Sequence, residues 1–179
     1  DFENRPAVLV CPGGGYFFCS DREADPVAMI FAAAGYNTFV LRYSVKEHGV
    51  FPKPVYDLCK AIKFIRDNAE EFGVIKNQIA TIGFSAGGHL VLSQSCLCND
   101  EKILSQAGCT AEECRPDAVI GGYPVTSTAW AEKFNELGRI VERIDFNRIN
   151  KLIDSVENIS EIRKTFYKIG KLYIILGSQ

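Results

Sequence analysis

The chain has 179 residues, 47% of them hydrophobic, and its 22 acidic and 20 basic residues leave a formal net charge of -2. This composition supports one buried core and a single domain over residues 1–179, and without a basic excess it excludes the electrostatic footprint of a nucleic-acid binder. Its apolar runs are broken by charge, glycine or proline well short of the roughly 18 residues a bilayer span needs, so no membrane partner is expected.

Pro6 to Cys11 (PAVLVC) is a short apolar run ended by Pro12-Gly13-Gly14-Gly15, the pattern of a buried parallel strand feeding a tight loop. Asp25 is placed to cap a helix with Pro26 at its first position, with Val27, Ile30, Phe31 and Ala34 as the apolar face and Gly35 as the stop. Asn37 to Tyr43 (NTFVLRY) reads as a second strand. From Pro54 to Phe72, apolar residues recur at Val55, Leu58, Cys59, Ile62, Ile65 and Ala69, which predicts an amphipathic helix terminated by Gly73. Gln78 to Phe84 is expected as a third strand, Ala86 to Cys98 as the helix that follows it directly, and Asp117 to Tyr123 as a fourth strand.

Strands alternating with helices imply parallel βαβ units with right-handed crossovers and an open α/β sheet. Beyond Thr126 the texture becomes charged and helix-like as far as Ile169, which reads as an insert or cap, and Lys171 to Leu176 (KLYIIL) is expected as a fifth buried strand. In that insert Trp130, Phe134, Leu137 and Ile140 fit either a pocket lining or packing against the sheet.

The seven cysteines, Cys11, Cys19, Cys59, Cys96, Cys98, Cys109 and Cys114, are odd in number and scattered. They are expected as reduced thiols, which favours a cytoplasmic location. Cys96-Leu97-Cys98 with Cys109 and Cys114 does not supply the paired spacing of a zinc site, so no metal is expected. No signal peptide is apparent, and a start at Asp1 rather than methionine is read as a missing N-terminal part.

Gly83-Phe84-Ser85-Ala86-Gly87 is a G-x-S-x-G pattern lying between a predicted strand and a predicted helix. Such a serine sits on a sharp, strained turn that projects its hydroxyl from the sheet, and the helix N-terminus beneath favours developing negative charge. The pattern alone also describes ordinary strand-to-helix turns. Gly13-Gly14-Gly15 after the first strand supports the catalytic reading, because an acyl-transfer site needs backbone N–H groups facing an oxyanion there. A phosphate loop is the weaker reading, since neither Gly-Lys-Ser/Thr nor a G-x-G-x-x-G entering a helix is present.

In order and spacing, CPGGGYFFCSDREADPVA, GYNTFVLRYSV, GFSAGGHL and GGYPV resemble the acetyl-xylan-esterase-like and carboxylesterase group of α/β-hydrolases over about residues 6–125. The resemblance implies a three-layer α/β sandwich with a parallel sheet in the order 2-1-3-4-5, its edge strands missing, and the site at the strand C-terminal ends. It implies hydrolysis of a carboxylic ester, acetyl or another short acyl group and often on a carbohydrate, with no cofactor. By position Ser85 would be the nucleophile, the amides of Gly14, Gly15 and Ala86 would form the oxyanion hole, and Tyr16 and Phe17, with Phe18, divide between pocket wall and core.

The order expected after the serine is an acid and then a histidine. Here the chain departs from the pattern, because His48 precedes Ser85 and His89 lies four residues along the same helix. His89 reads as structural and His48 as a loop residue; Asp57, Asp117, Asp145 and Asp154 are assigned to no triad. The acid and histidine are therefore expected outside this chain, which is expected to be incomplete at both ends, nearly inactive alone and prone to self-association through bare sheet edges. Two other readings stay open: a non-catalytic carbohydrate- or acyl-binding relative, and a peptidase or thioesterase with the same elbow.

Overall fold

The computed structural model describes residues 4–126. The expected insert beyond Thr126, with Trp130, Phe134, Leu137, Ile140, Asp145 and Asp154, and the expected fifth strand at Lys171–Leu176, lie outside the described residues. Within them the elements run β1 (Arg5–Cys11), α1 (Asp25–Ala33), β2 (Asn37–Val40), α2 (Lys53–Asp67), β3 (Val74–Phe84), α3 (Ala86–Leu97), α4 (Glu101–Ala107), α5 (Ala111–Cys114) and β4 (Ala118–Gly122).

The strands form one sheet in the order β2-β1-β3-β4, every neighbouring pair parallel, as expected for the first four positions. Alternation along β1 shows how the layers are divided. Ala7, Leu9 and Cys11 join a core with Val55, Leu58, Ile62, Leu90 and Val91 of α2 and α3, while Val8 and Val10 face Ala28 of α1 and Ile82. A strand buried on both faces has no polar position to spare, which is why β1 reads as an unbroken apolar run. The α2 stripe is nearly sealed from solvent, with Val55, Leu58, Cys59, Ile62 and Ile65 at 2% exposure or less; burial of each aliphatic side chain there contributes about 1.5–3 kcal/mol.

Several boundaries differ from expectation for identifiable reasons. Asp25 is the first residue of α1 and Ala24 takes the cap position with no side-chain cap bond. Ala28 is the buried residue of that helix, with Val27 and Phe31 of the expected face packed partly buried beside it, whereas Ile30 is 69% exposed and Ala34 is exposed, so half of the expected Val27, Ile30, Phe31 and Ala34 face meets solvent. β2 ends at Val40 rather than Tyr43, and α2 stops at Asp67 before a turn that reaches Gly73. β3 begins at Val74 because its pairing with β1 shifts register between Arg5 and Ala7; the exposed polar Lys76-Asn77-Gln78 within that irregular stretch hides the strand from an apolar-run reading.

The short helices α4 and α5 were not expected. Asp100 caps α4 by accepting from the N–H groups of Lys102 and Ile103, and Thr110 and Glu113 form a reciprocal capping box on α5. Arg66, 7% exposed, then fastens α5 to α2 by donating to the carbonyls of Glu112, Glu113 and Arg115.

Candidate active site

The turn from β3 to α3 holds Ser85 at φ 50 and ψ -113, a backbone conformation that a residue with a side chain adopts only under strain, at a cost of about 1–3 kcal/mol. Its N–H donates to Gly122 O at 3.0 Å and its carbonyl accepts from His89 N–H at 2.9 Å, so β4 and the first turn of α3 together over-determine the strained conformation. The turn also requires close backbone approach: a Cβ at Gly87 would lie 2.0 Å from Cys11 O and 2.5 Å from Pro12 O. Only glycine there lets the N-terminus of α3 seat against the end of β1.

The loop after β1 comes up to the serine from the other side. A Cβ placed on Gly13 would stand 3.2 Å from Ser85 Cβ, so the glycine loop and the elbow are adjacent. Gly14 has φ 129 and Gly15 φ 63, and Gly14 O accepts from the N–H groups of Phe17 and Phe18 at 3.0 and 3.3 Å. That carbonyl thus turns toward the loop, and among the described residues the N–H groups of Gly14 and Gly15 have no protein acceptor. Ala86, the first residue of α3, presents an N–H of the kind every helix start leaves unpaired.

Three side chains outside the two motifs, Glu23, Tyr123 and Tyr43, hold this loop in place. The Glu23 carboxylate accepts from Gly13 N–H at 2.7 Å and from the Tyr123 hydroxyl, bridging the end of β1 to the end of β4 across the elbow. Tyr123 is itself at φ 37; burial first, then the neighbouring Glu23 carboxylate, pushes its phenol up to about 12. The buried Tyr43 hydroxyl donates to Pro12 O at 2.6 Å.

Neither histidine serves Ser85 among the described residues. His89 Nδ1 is 2.7 Å from Tyr16 Oη and Nε2 is 3.3 Å from Ser93 Oγ, so both ring nitrogens are engaged; burial holds the imidazole below its ordinary pKa and favours the neutral form. His48 is exposed, 3.6 Å from Glu47. The carboxylates are occupied as well. Asp57 accepts from Ser44 N–H at 2.9 Å and pairs with Lys53, and Asp117 bonds Ile79 N–H at 2.8 Å and Arg66.

Beside His89 lies a cavity of about 170 Å³ lined by Tyr16, Phe51, Val55, His89, Leu90 and Ser93 among others. Tyr16 is therefore both a cavity wall and the hydrogen-bond partner of His89, while Phe17 and Phe18 are 69% and 58% exposed and take no part in that lining.

The BD-FAE family model matches residues 2–163. The α/β hydrolase MGS-M1 from a deep-sea metagenome library is 50% identical, with a TM-score of 0.57 over 68% of this chain and 45% of its own. The acetyl ester-xyloside bifunctional hydrolase of Caldicellulosiruptor lactoaceticus is 32% identical, with a TM-score of 0.61 over 73% of this chain and 47% of its own. Endo-1,4-beta-xylanase B of Butyrivibrio fibrisolvens is 36% identical over 131 residues, which are 72% of this chain and 20% of that protein. The chain thus spans less than half the length of each of these proteins.

Proposed function

The chain belongs to the BD-FAE family and has the α/β-hydrolase fold, and from that premise we propose that it supplies the nucleophile and oxyanion part of a carboxylic ester hydrolase with Ser85 as nucleophile. The observation that carries the reading is Ser85 at φ 50 on the turn between β3 and α3, with the glycine loop after β1 lying against its Cβ. Ser85 Oγ would attack the ester carbonyl, and the N–H groups of Gly14, Gly15 and Ala86 would take up the charge that develops on its oxygen, helped by the α3 N-terminus. The alcohol then leaves and water releases the acyl group. The acyl group we propose is short, of the acetyl class, in keeping with the acetyl ester-xyloside bifunctional hydrolase among the similar structures.

The base and its acid partner belong to no residue described above, because His89 is committed to Tyr16 and Ser93 and His48 stands exposed. Without that base the serine is a weak nucleophile, and loss of a triad histidine costs on the order of a millionfold in turnover. The test is intact-mass detection of a fluorophosphonate adduct during prolonged incubation, with turnover of an acetyl ester measured alongside. We expect slow labelling confined to Ser85, absent from Ser85→Ala, and negligible turnover. An adduct or rapid turnover that survives Ser85→Ala would overturn the assignment.

A further inference from the structure

Away from the elbow, Cys59 on α2, Cys109 on the loop after α4 and Cys114 at the end of α5 bring their sulfur atoms within 4.8 Å of one another. Three points with no separation above 4.8 Å always have a common point no farther from any of them than that separation divided by √3, about 2.8 Å. Zinc–thiolate bonds are about 2.3 Å, so a shift of roughly half an ångström per sulfur closes the set around an ion. Cys59 and Cys114 are fully buried and Cys109 is half-buried, so Cys109 is the member of the set nearest to solvent.

A second observation points to the same place. Gln94, buried at 0% exposure, donates from Nε2 to Cys59 Sγ at 3.6 Å and to Cys114 O at 2.9 Å. That amide group thus already donates to one of the three sulfurs, as an outer-shell partner of a thiolate would, while its oxygen has no hydrogen-bond partner among the described residues. Arg66, whose guanidinium bonds the carbonyls on either side of Cys114, places a positive charge near what would become an anionic centre.

We propose that Cys59, Cys109 and Cys114 form a binding site for a thiophilic d10 cation of the zinc class, with Gln94 beside it as a positioning residue. Binding exchanges three thiol protons for three sulfur–metal bonds, with no change of oxidation state, and the protons leave to solvent. Soft thiolates select zinc or copper(I) over magnesium or calcium. The site ties α5 and the α4 loop to α2, which makes it structural rather than part of the ester chemistry.

The test titrates the full chain, reduced and stripped of metal, with cadmium as the spectroscopic probe and zinc as competitor. The expected result is a thiolate-to-cadmium charge-transfer band that saturates at one equivalent and is displaced by zinc. Cys59→Ser, Cys109→Ser or Cys114→Ser should weaken binding by at least the roughly 10- to 100-fold seen when a metal's outer-shell partner is removed, and Cys96→Ser should leave it unchanged. Because a buried variant can misfold, alkylation of the unsubstituted chain gives a parallel readout: bound zinc should slow the reaction of the half-buried Cys109 relative to the metal-free chain and leave the exposed Cys96 as reactive as before. The absence of one-to-one binding by the folded, reduced chain overturns the proposal, as does a band indifferent to these substitutions or an alkylation rate of Cys109 that zinc does not change.

Discussion

Replacing Ser85 with glycine should stabilise the fold while removing the proposed nucleophile. At φ 50 and ψ -113 the serine holds a conformation whose strain is about 1–3 kcal/mol, and glycine adopts it without Cβ clashes. Against that gain stands the greater freedom of an unfolded glycine, about 0.5–1 kcal/mol. Ser85 Oγ makes no hydrogen bond with the described residues, so truncating the side chain sacrifices little. The net expectation is a gain of about 0–2.5 kcal/mol for Ser85→Gly, near zero for Ser85→Ala, and no fluorophosphonate adduct in either. Urea unfolding followed by far-ultraviolet circular dichroism gives the comparison directly, and at about 2–4 °C per kcal/mol for a chain of this size the difference should also appear in Tm. If Ser85→Gly is less stable than Ser85→Ala, the elbow is not strained and the reasoning fails.

Gly87→Ala must push a methyl group into Cys11 O and Pro12 O, both backbone atoms that cannot rotate away; a loss of about 1–3 kcal/mol or more is expected in the same unfolding assay. Glu23→Gln keeps an acceptor for Gly13 N–H but removes the charge facing Tyr123, so labelling of Ser85 should slow and the Tyr123 phenol, read by its ultraviolet phenolate band, should fall back part of the way from about 12 toward 10. His89 is held below its ordinary value of 6.5 by burial, so the unfolded chain binds the proton more readily. Its contribution to stability should be complete above pH 6.5 and be lost as the pH falls below it, and this acid-side loss should be smaller in His89→Gln, measured as unfolding midpoint against pH.

What could be read from the chain in advance follows the range of the interactions involved. β1 was legible because burial on both faces leaves an unbroken apolar run, and α2 because one face packs on the sheet while the other meets water. On α1 only half of the expected face packs, Val27 and Phe31 beside Ala28, while Ile30 and Ala34 are exposed, because the helix is apolar nearly all round, Met29 included, and periodicity carries little direction there. The caps at Asp100 and Thr110 are local signals for α4 and α5, but helices of seven and four residues are too short to carry an apolar period beside them. At the site, Ser85 and the glycine loop are visible because a strained turn and a close backbone approach are local demands that few residues meet. The Glu23–Tyr123 bond joins residues 100 positions apart, and nothing in their spacing reports it.

The cysteines make the same point about search rules. Zinc ligands are sought as close pairs because a tight turn that presents two thiols is encoded locally. Cys59 reaches Cys109 and Cys114 only because α2 lies along α5, an arrangement produced by Arg66 and the core beneath it rather than by any interval in the chain. A ligand set assembled by helix packing in this way has no signature of spacing, and it depends on the fold that it would in turn stabilise. Metal binding by this chain should accordingly vanish with the cooperative loss of structure in denaturant, whereas a local hairpin of cysteines would retain affinity in the unfolded state.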